Sequence, residues 1–169
     1  MKKVLFSGLQ PSNILHIGNY LGMLKEYIRL QNINTYTNYF MIADLHALTS
    51  NSNTNESRLN IMENCFSTVA LLLACGIDHK KTILFRQSEI SPHTELMWIL
   101  CTLTSSSMLN RMIQYKTKKK DLIDSPNNGI YNYPVLMAAD IILYKLVLED
   151  QIMFLLDMIK CNIWNYVGI

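Results

Sequence analysis

The chain has 169 residues, of which 50% are hydrophobic and 17% are charged, and its formal net charge is +2. This length is enough to bury a sizeable core, and the composition excludes an intrinsically disordered segment, which needs low hydrophobicity and high charge. A net charge so near zero argues against a general basic surface for nucleic acid or membranes, and the longest apolar stretch, 69–75, is far shorter than the roughly 20 residues of a membrane-spanning helix.

The N-terminus and the cysteines indicate a globular protein of the cytoplasm. The apolar residues 4–6 reach Ser7 and Gly8 too soon for a signal peptide. No Cys-x-x-Cys pair and no tight cluster with histidine occurs among the four cysteines, which are Cys65, Cys75, Cys101 and Cys161. We therefore expect free thiols in a reducing compartment, with neither a disulfide framework nor a bound metal.

Short apolar runs alternate along the chain with longer segments of helical periodicity. In chain order the sequence predicts a strand over 3–9, a helix over 18–30, a strand over 39–43, a helix from a cap at Asn53 to Gly76, a strand over 82–85, helices over 92–103 and 106–115, a loop over 116–128, and helices over 134–144 and 150–159. We expect Pro134 at the first position of its helix, where its missing N–H would have no partner anyway. The alternation predicts an α/β fold, a doubly wound parallel sheet with helices on both faces. Ligands of such folds bind beyond the carboxyl ends of the strands, so the turns after the first two strands are where chemistry is expected.

The turn after the first strand has the residues of a phosphate-binding corner. Gly18 has no Cβ, so a ligand can approach the backbone closely, and the amides that follow form a helix N-terminus with partial positive charge. His16 and Asn19 add side-chain donors for phosphate oxygens. The alternative is a tight strand-to-helix turn capped by Asn19. The spacing matches neither the Gly-x-Gly-x-x-Gly dinucleotide pattern nor the phosphate loop that ends in Gly-Lys-Ser/Thr.

The same turn carries a resemblance to a known family. His16-Ile17-Gly18-Asn19 resembles the His-Ile-Gly-His signature of class I aminoacyl-tRNA synthetases. Further runs narrow the resemblance to the tryptophanyl-tRNA synthetase family and extend it over residues 1–145; they are 6–12, 19–22, 43–49, 93–96, 109–112 and 133–140. Asn13 stands where the family usually has Gly, and Asn tolerates a left-handed backbone. The resemblance implies a Rossmann-type catalytic domain, incomplete at its C-terminus. Residues 1–148 would bind nucleotide and tryptophan, and residues 149–169 would be a partial helix and divergent tail of the same domain.

The helix predicted over 134–144 has one face that suits a flat aromatic ligand. Two rings, a thioether and a carboxylate share that face at helical spacing, in Tyr133, Met137, Asp140 and Tyr144. A ligand with a single ring N–H, such as indole, fits this chemistry; the alternative is an amphipathic helix whose Asp140 meets a lysine or a backbone amide. The resemblance implies that Asp140 accepts the indole N–H and that Gln10 lies between the two substrates. The tryptophan contacts that it implies are Phe6, Gln10, His46, Tyr133, Met137, Asp140 and Gln151.

The resemblance also implies a reaction in two steps. The tryptophan carboxylate attacks the α-phosphate of ATP, which brings Mg²⁺ on its phosphates and releases pyrophosphate, and the adenylate then acylates tRNA(Trp). The lysines at 116–120 are typical of a solvated surface, except that Lys118 stands at the family's ATP-phosphate contact. Family members are homodimers. The catalytic residues that the resemblance implies are His16, Asn19 and Lys118, and the ATP contacts are Gln10, Pro11, Ser12, His16, Gly18, Asn19, Glu149 and Asp150.

The sequence departs from the family near its C-terminus. Only residues 146–148 separate Lys145 from Glu149-Asp150-Gln151, about four fewer than in the family, and Leu148 replaces the Gly that lets adenosine approach the backbone. The chain ends before the family's Lys-Met-Ser-Lys-Ser loop and its anticodon-binding domain, and the tail after Lys160 does not match. We therefore expect weak substrate binding and little turnover from the isolated chain.

Two other functions stay open at this point. One is a non-catalytic synthetase remnant that binds tryptophan or ATP or merely folds, or a regulatory paralogue. The other is a tyrosyl-tRNA synthetase, which shares the fold but has a different amino-acid motif over 133–140.

Overall fold

Parallel strands form one sheet in the part of the chain that the structure describes. The computed structural model describes residues 3–11, 15–49, 55–111, 127–147 and 152–154. The strands are β1 (Lys3–Leu9), β2 (Tyr36–Ile42), β3 (Thr82–Arg86) and β4 (Ile152–Phe154), and they lie in the order β3-β2-β1-β4. Every pairing between them is parallel. The chain runs outward from β1 to β3 and then returns to the other side of β1, so the strand order reverses beside β1. This confirms the predicted parallel α/β sheet.

Helices connect these strands. They are α1 (Ile17–Asn19), which continues through a π-helical turn (Tyr20–Leu24) into α2 (Lys25–Gln31), and then α3 (Asp44–Leu48), α4 (Asn55–Ala74), a 3₁₀ turn (Gln87–Glu89), α5 (Pro92–Leu103), α6 (Ser106–Arg111) and α7 (Asn128–Val147). The predicted helix over 18–30 is confirmed, with the addition of the π turn. The helix predicted over 106–115 is present up to Arg111, and residues 112–126 lie outside the described part. No helix in the described ranges is long and apolar enough to cross a membrane.

The sheet is covered on both faces because successive β1 side chains point to opposite sides. On one face, Leu5 is buried in a core that includes Tyr27 of α2 and Leu72 of α4. On the other face, Phe6 packs with Tyr144 of α7. The doubly wound arrangement is therefore confirmed, and it places α7 directly over the strand that leads to the predicted ligand turn.

The end of α4 shows the predicted glycine cap. Gly76 has φ +113°, a left-handed conformation that side chains disfavour. The Gly76 N–H donates to the Leu73 carbonyl at 3.1 Å, and the Ile77 N–H donates to the Leu72 carbonyl at 3.1 Å. This pair of bonds is the Schellman arrangement, which satisfies carbonyls at the helix end. The described helix begins at Asn55, and the cap predicted at Asn53 lies outside the described residues.

The expected position of Pro134 at the start of its helix is wrong. α7 begins at Asn128, and Pro134 lies inside it. Asn127 caps the helix instead, because its Oδ1 accepts from the Ile130 N–H at 2.9 Å. Capping at Asn127 adds more than a turn of helix before the proline. In this added turn Gly129 lets the helix lie close to Thr49, since a Cβ on Gly129 would lie 3.2 Å from Thr49 Cγ2. The capping asparagine therefore decides where the helix begins, and the proline is accommodated.

The helix predicted over 150–159 is also wrong at its start, where the structure has β4. Ile152 to Phe154 pair in parallel with Val4 to Phe6. A short, fully apolar run does not distinguish a buried strand from a buried helix by periodicity. The pairing is decided by β1, whose second edge would otherwise present unpaired backbone groups. The strand follows Gln151 in the sequence, whereas the family has a strand before Glu149, where residues 146–148 leave too little chain for a full one. The boundary predicted at residue 148 between two parts of the domain stays a prediction.

Candidate functional site

Three neighbouring strands deliver polar side chains to the same edge of the sheet. Gln10 follows β1, Asp44 and His46 follow β2, and Gln87 follows β3. The first two strand ends are held together beyond the sheet, because the Ala43 N–H donates to the Leu9 carbonyl at 2.9 Å. The carboxyl edge is where parallel folds bind ligands. The expectation that the chemistry lies in the turns after the first two strands is consistent with this arrangement, and the third strand contributes as well.

Asp140 lies at the centre of these side chains and is 3% exposed. His46 Nε2 donates to its Oδ2 at 2.8 Å, and His93 Nδ1 donates to its Oδ1 at 2.7 Å. Gln87 Nε2 lies 2.9 Å from both oxygens. The carboxylate is thus bound by three side chains from α3, the 3₁₀ turn and α5, and its partners are neither the lysine nor the backbone amide considered from the sequence.

Burial and hydrogen bonding act in opposite directions on this carboxyl group. Burial alone would raise the pKa of Asp140, but the hydrogen bonds and charges of His46 and His93 outweigh it and lower the pKa below its ordinary value. Asp140 is therefore ionised and only accepts hydrogen bonds. An ionised carboxylate has about four acceptor positions. His46 and His93 each occupy one, and the single Gln87 amide nitrogen is shared between the two oxygens, so a ligand donor could bind where the Gln87 contact settles on one oxygen.

The two histidines present their second nitrogens differently. With Nδ1 donating to Asp140, His93 presents Nε2 to the Tyr144 hydroxyl at 3.3 Å. His46 donates through Nε2, and its Nδ1 is buried with no partner among the described residues. Gln87 Oε1 is likewise buried and unpaired there. Unsatisfied buried acceptors are uncommon in folded proteins and indicate a place where a further donor would be stabilised.

Aromatic side chains enclose the carboxylate group. The ring of Tyr133 lies 4.2 Å from that of His46, measured between centroids, and Tyr144 stacks on Phe6 at 4.3 Å. Burial, together with the charge of Asp140, raises the pKa of Tyr133. Met137 is buried one turn before Asp140 on the same helix. Of the predicted tryptophan contacts, His46 thus binds Asp140 directly, Tyr133 lies against His46, and Phe6 is connected to the group through Tyr144 and His93.

Gln10 joins this group from the other side of the site. Its Nε2 donates to the Tyr133 hydroxyl at 2.5 Å, across 123 positions of sequence. The residue that follows, Pro11, is buried. The turn after β1 is thereby attached to α7. This position of Gln10 is compatible with its predicted place between the two substrates.

Asp44 joins the second and third strand ends. Its Oδ1 accepts from the Ser88 N–H at 3.0 Å, and its Oδ2 accepts from the Ser88 hydroxyl at 2.5 Å. The Leu45 N–H donates to the same Oδ1 at 3.0 Å. Because His46 follows Asp44 by two positions and Gln87 precedes Ser88, this connection holds two of the three partners of Asp140 in place.

The predicted phosphate corner is a separate and more exposed feature. His16 Nδ1 accepts from the Gly18 N–H at 3.1 Å, and Asn19 Oδ1 accepts from the His16 N–H at 3.1 Å. This is a reciprocal capping box. A Cβ at Gly18 would lie 2.9 Å from the His16 ring, so the glycine makes room for the cap as well as for a ligand. The capped-turn alternative is present in the structure, and it leaves His16 and Gly18 exposed.

Sequence reasoning missed Gln87, His93 and Asp44 as site residues. Each belongs to a strand end or to a run that carries the family resemblance, but a buried histidine or glutamine has no spacing signal of its own. A polar residue immediately after an apolar strand is the one signal that points to Gln87 and Asp44. The site predictions at Ser12, Lys118, Glu149, Asp150 and Gln151 lie outside the described residues.

The cysteines and the possible metal ligands of the described ranges form neither a disulfide nor a metal site. Cys65, Cys75 and Cys101 are free cysteines. Burial raises the pKa of the Cys65 thiol. Among these residues no group of three or more histidine, cysteine, aspartate or glutamate side chains has the arrangement of a metal site.

Comparisons with known proteins agree with the geometry. The family model described as tRNA synthetases class I (W and Y) matches residues 2–151. The tryptophan–tRNA ligase of Prochlorococcus marinus strain SARG is 44% identical over 154 residues, which are 89% of this chain and 44% of that protein. The ligase of Clostridium tetani is 45% identical over 144 residues, 85% of this chain and 41% of that one. The chain thus spans less than half the length of the curated relatives it matches.

Solved structures show the same likeness. Tryptophanyl-tRNA synthetase from Campylobacter jejuni, complexed with ADP and tryptophan, has a TM-score of 0.69 at 38% identity, over 82% of this chain and 41% of that one. The Mycoplasma pneumoniae enzyme has a TM-score of 0.76 at 34% identity, over 86% and 42%. A tyrosyl-tRNA synthetase from Archaeoglobus fulgidus, 21% identical with a TM-score of 0.66, shares the fold.

Proposed function

Because the chain belongs to the class I tRNA synthetases of the tryptophan and tyrosine type, we propose that it is the tryptophan- and ATP-binding portion of a tryptophan–tRNA ligase. The observation that carries this proposal is the buried, ionised Asp140, whose two oxygens share one Gln87 donor that a ligand N–H could displace from one of them, and which lies among aromatic side chains. An indole ring brings one N–H and a flat apolar surface, which is the complement of that group.

Selection for tryptophan follows from the same carboxylate. A buried acceptor that receives a ligand N–H disfavours analogues that lack it, because the acceptor then loses a partner. Phenylalanine has no such donor. Phe6, His46, Tyr133 and Met137 would contact the indole around Asp140, and Gln10 would lie between the amino acid and the nucleotide. Gln151 would complete this set from beyond the described residues.

The nucleotide would bind at the turn after β1. His16, Gly18 and Asn19 are at the beginning of α1, where backbone amides and partial positive charge favour phosphate. Gln10 and Pro11 precede this turn. Ser12, Lys118, Glu149 and Asp150 would add contacts from outside the described residues.

The chemistry would need little covalent participation by the protein. The tryptophan carboxylate attacks the α-phosphorus of ATP, the bond to the β-phosphate oxygen breaks, and pyrophosphate leaves; tRNA(Trp) then accepts the tryptophanyl group. His16, Asn19 and Lys118 would align the phosphates and stabilise their charge, which is how such transfers are accelerated. Mg²⁺ would accompany ATP on its phosphate oxygens.

A homodimer is supported by one face of α5. Three large apolar side chains on this helix are more than half exposed, at 73% for Trp98, 56% for Ile99 and 77% for Leu103. Trp98 and its neighbours are the type of residue found in the cores of protein interfaces. A second copy of the chain would cover this face.

The free thiols fit the reducing cytoplasm, where we place the protein.

The second candidate function is a non-catalytic remnant. It is favoured by the completeness of the hydrogen bonding around Asp140, which three side chains already satisfy without a ligand. In that case the carboxylate serves the fold alone.

Calorimetric titration separates the two candidates. The proposed function predicts that the purified chain binds tryptophan, that it binds ATP with Mg²⁺, and that phenylalanine binds at least tenfold more weakly than tryptophan. Exchange of pyrophosphate into ATP that depends on tryptophan then measures the first reaction step. Absence of binding by both substrates would establish the remnant and overturn the proposal.

A further inference from the structure

His93 connects α5 to the acidic group on α7. It is 0% exposed, although its own helix has a strongly exposed apolar face. Its Nδ1 donates to Asp140 Oδ1 at 2.7 Å, and its Nε2 lies 3.3 Å from the Tyr144 hydroxyl. Pro92 begins α5 immediately before it, which fixes the backbone at this point. The ring is thus restrained on both edges, and no described contact connects it to the His16 corner.

We propose that His93 is a positioning residue for ligand selection: it fixes the orientation of the Asp140 carboxylate so that the acceptor position shared with Gln87 faces the ring N–H of the ligand. This inference rests on the proposed function, because it assigns Asp140 the role of acceptor for tryptophan.

The geometry supports orientation rather than simple packing. A carboxylate can rotate about its Cβ–Cγ bond, and that torsion has only broad, roughly two-fold preferences of its own. His46 binds Oδ2 and His93 binds Oδ1, so the two imidazoles hold opposite oxygens. Gln87 lies at 2.9 Å from both and cannot distinguish them. Without His93, Oδ1 would retain Gln87 as its one described donor, and the carboxylate would be free to turn toward His46.

The chain offers a matched pair of substitutions. In His93→Asn the amide nitrogen takes the place of Nδ1, so the donor to Asp140 is retained. In His93→Phe the ring volume is kept but both nitrogens are lost. His79 is an exposed histidine on the loop before β3, and His79→Phe controls for loss of a histidine ring elsewhere.

The ligand readout compares tryptophan with 3-benzothienylalanine, which replaces the ring N–H by sulfur and keeps the shape. We expect the unsubstituted chain and His79→Phe to prefer tryptophan by about tenfold to a hundredfold, the range for a hydrogen bond to a charged group. His93→Phe should reduce this preference at least fivefold while its affinity for the thienyl analogue stays within twofold, and His93→Asn should keep most of it. Equal weakening of both ligands by His93→Phe would overturn the proposal, because it would show a purely structural role.

A second measurement needs no ligand. Long-range ¹H–¹⁵N correlation spectra of the imidazoles should show His93 with its proton on Nδ1, and His46 with its proton on Nε2. If the chain bound no tryptophan but showed these tautomers, the proposed function would fail while the contact that defines His93 stood. A His93 ring with a proton on Nε2 and none on Nδ1 would overturn the inference whatever the chain binds.

Discussion

Gln10 and Tyr133 are hydrogen-bonded at 2.5 Å although 123 positions separate them in the sequence. The bond joins the turn that leads to the exposed His16 corner with the helix that carries Asp140. The proposed nucleotide-binding turn and the proposed tryptophan-binding helix are therefore connected by a hydrogen bond, so a substitution on one of them can affect the other.

Tyr133→Phe tests that connection. The substitution removes the acceptor for Gln10 and keeps the ring beside His46, so we expect a loss of about 0.5–1.5 kcal/mol in the free energy of unfolding, the usual net value of one hydrogen bond. Urea denaturation followed by circular dichroism gives this number. Tyr131→Phe is the control on the same helix, because the Tyr131 hydroxyl donates to the Ser106 carbonyl away from the site. If Tyr133→Phe were as stable as the parent, the Gln10 bond would contribute nothing net.

Asp140→Asn tests the central carboxylate. The substituted amide has an NH₂ group where one oxygen accepted from a donor, so at least one of the His46, Gln87 and His93 bonds is lost. We expect a destabilisation of about 3–5 kcal/mol, the cost of breaking a buried charged pair, and loss of the preference for tryptophan over phenylalanine. Chemical denaturation and calorimetry measure the two effects. Unchanged discrimination against phenylalanine would remove Asp140 from substrate selection.

The acid dependence of stability follows from the lowered pKa of Asp140. The folded state binds the proton more weakly than the unfolded state, so the ionised group stabilises the fold above the unfolded-state pKa of about 3.9. That contribution is lost as the pH falls from there through the folded-state pKa. The free energy of unfolding should therefore decline more steeply below about pH 4 for the parent than for Asp140→Asn. Asp78→Asn, at a partly exposed carboxyl, is the control for loss of an acidic side chain outside the site; parallel curves for the parent and Asp140→Asn would contradict the assignment.

The glycine cap of α4 offers a backbone test. Gly76 has φ +113°, so Gly76→Ala forces a side chain into a strained conformation, at a cost of about 1–2 kcal/mol. Gly22 lies in the π-helical turn, and a Cβ added there would meet nothing within 4 Å, so Gly22→Ala should be neutral or stabilising by up to about 1 kcal/mol. Thermal unfolding of the two variants compares them. Similar losses in both would indicate that the left-handed conformation is not what matters at Gly76.

The exposed face of α5 predicts self-association. Trp98→Glu places a charge on a residue that is 73% exposed, so it should leave the fold intact and convert a dimer to a monomer. Phe66 on α4 is exposed to a similar degree, at 72%, and Phe66→Glu is the matched control. Light scattering after gel filtration gives the mass of each. A monomeric parent chain would contradict the expectation of a homodimer.

The fold was predictable because its signals are local. Strand runs such as 82–85 are apolar and short, α5 was predicted at its observed bounds over 92–103, and Gly76 marks a helix end by chemistry that depends on one residue. The errors at Pro134 and at Ile152 have one cause: a local preference was overruled by a partner, the Asn127 cap in one case and the open edge of β1 in the other.

The site was only partly predictable. The sequence drew attention to Asp140 because a carboxylate inside an apolar helix face needs a partner, but only the family resemblance implies that this partner is tryptophan, and that role stays a prediction. Gln87 and His93 were not found, because what makes them important is the distance of each to a residue about 50 positions away, and a single sequence contains no measure of that distance.

Asp140 is a residue that four separate segments share, since α3, the 3₁₀ turn and α5 all bind the same carboxylate on α7. A substitution at this position would therefore change both what the position recognises and how those segments assemble. In a gene copy that is no longer selected for catalysis, such a substitution would still be selected against because it destabilises the fold. Conservation of this acid among homologues is therefore weak evidence that they still aminoacylate tRNA. Substitutions at the exposed His16 corner, which holds few other segments in place, would indicate a loss of activity more directly.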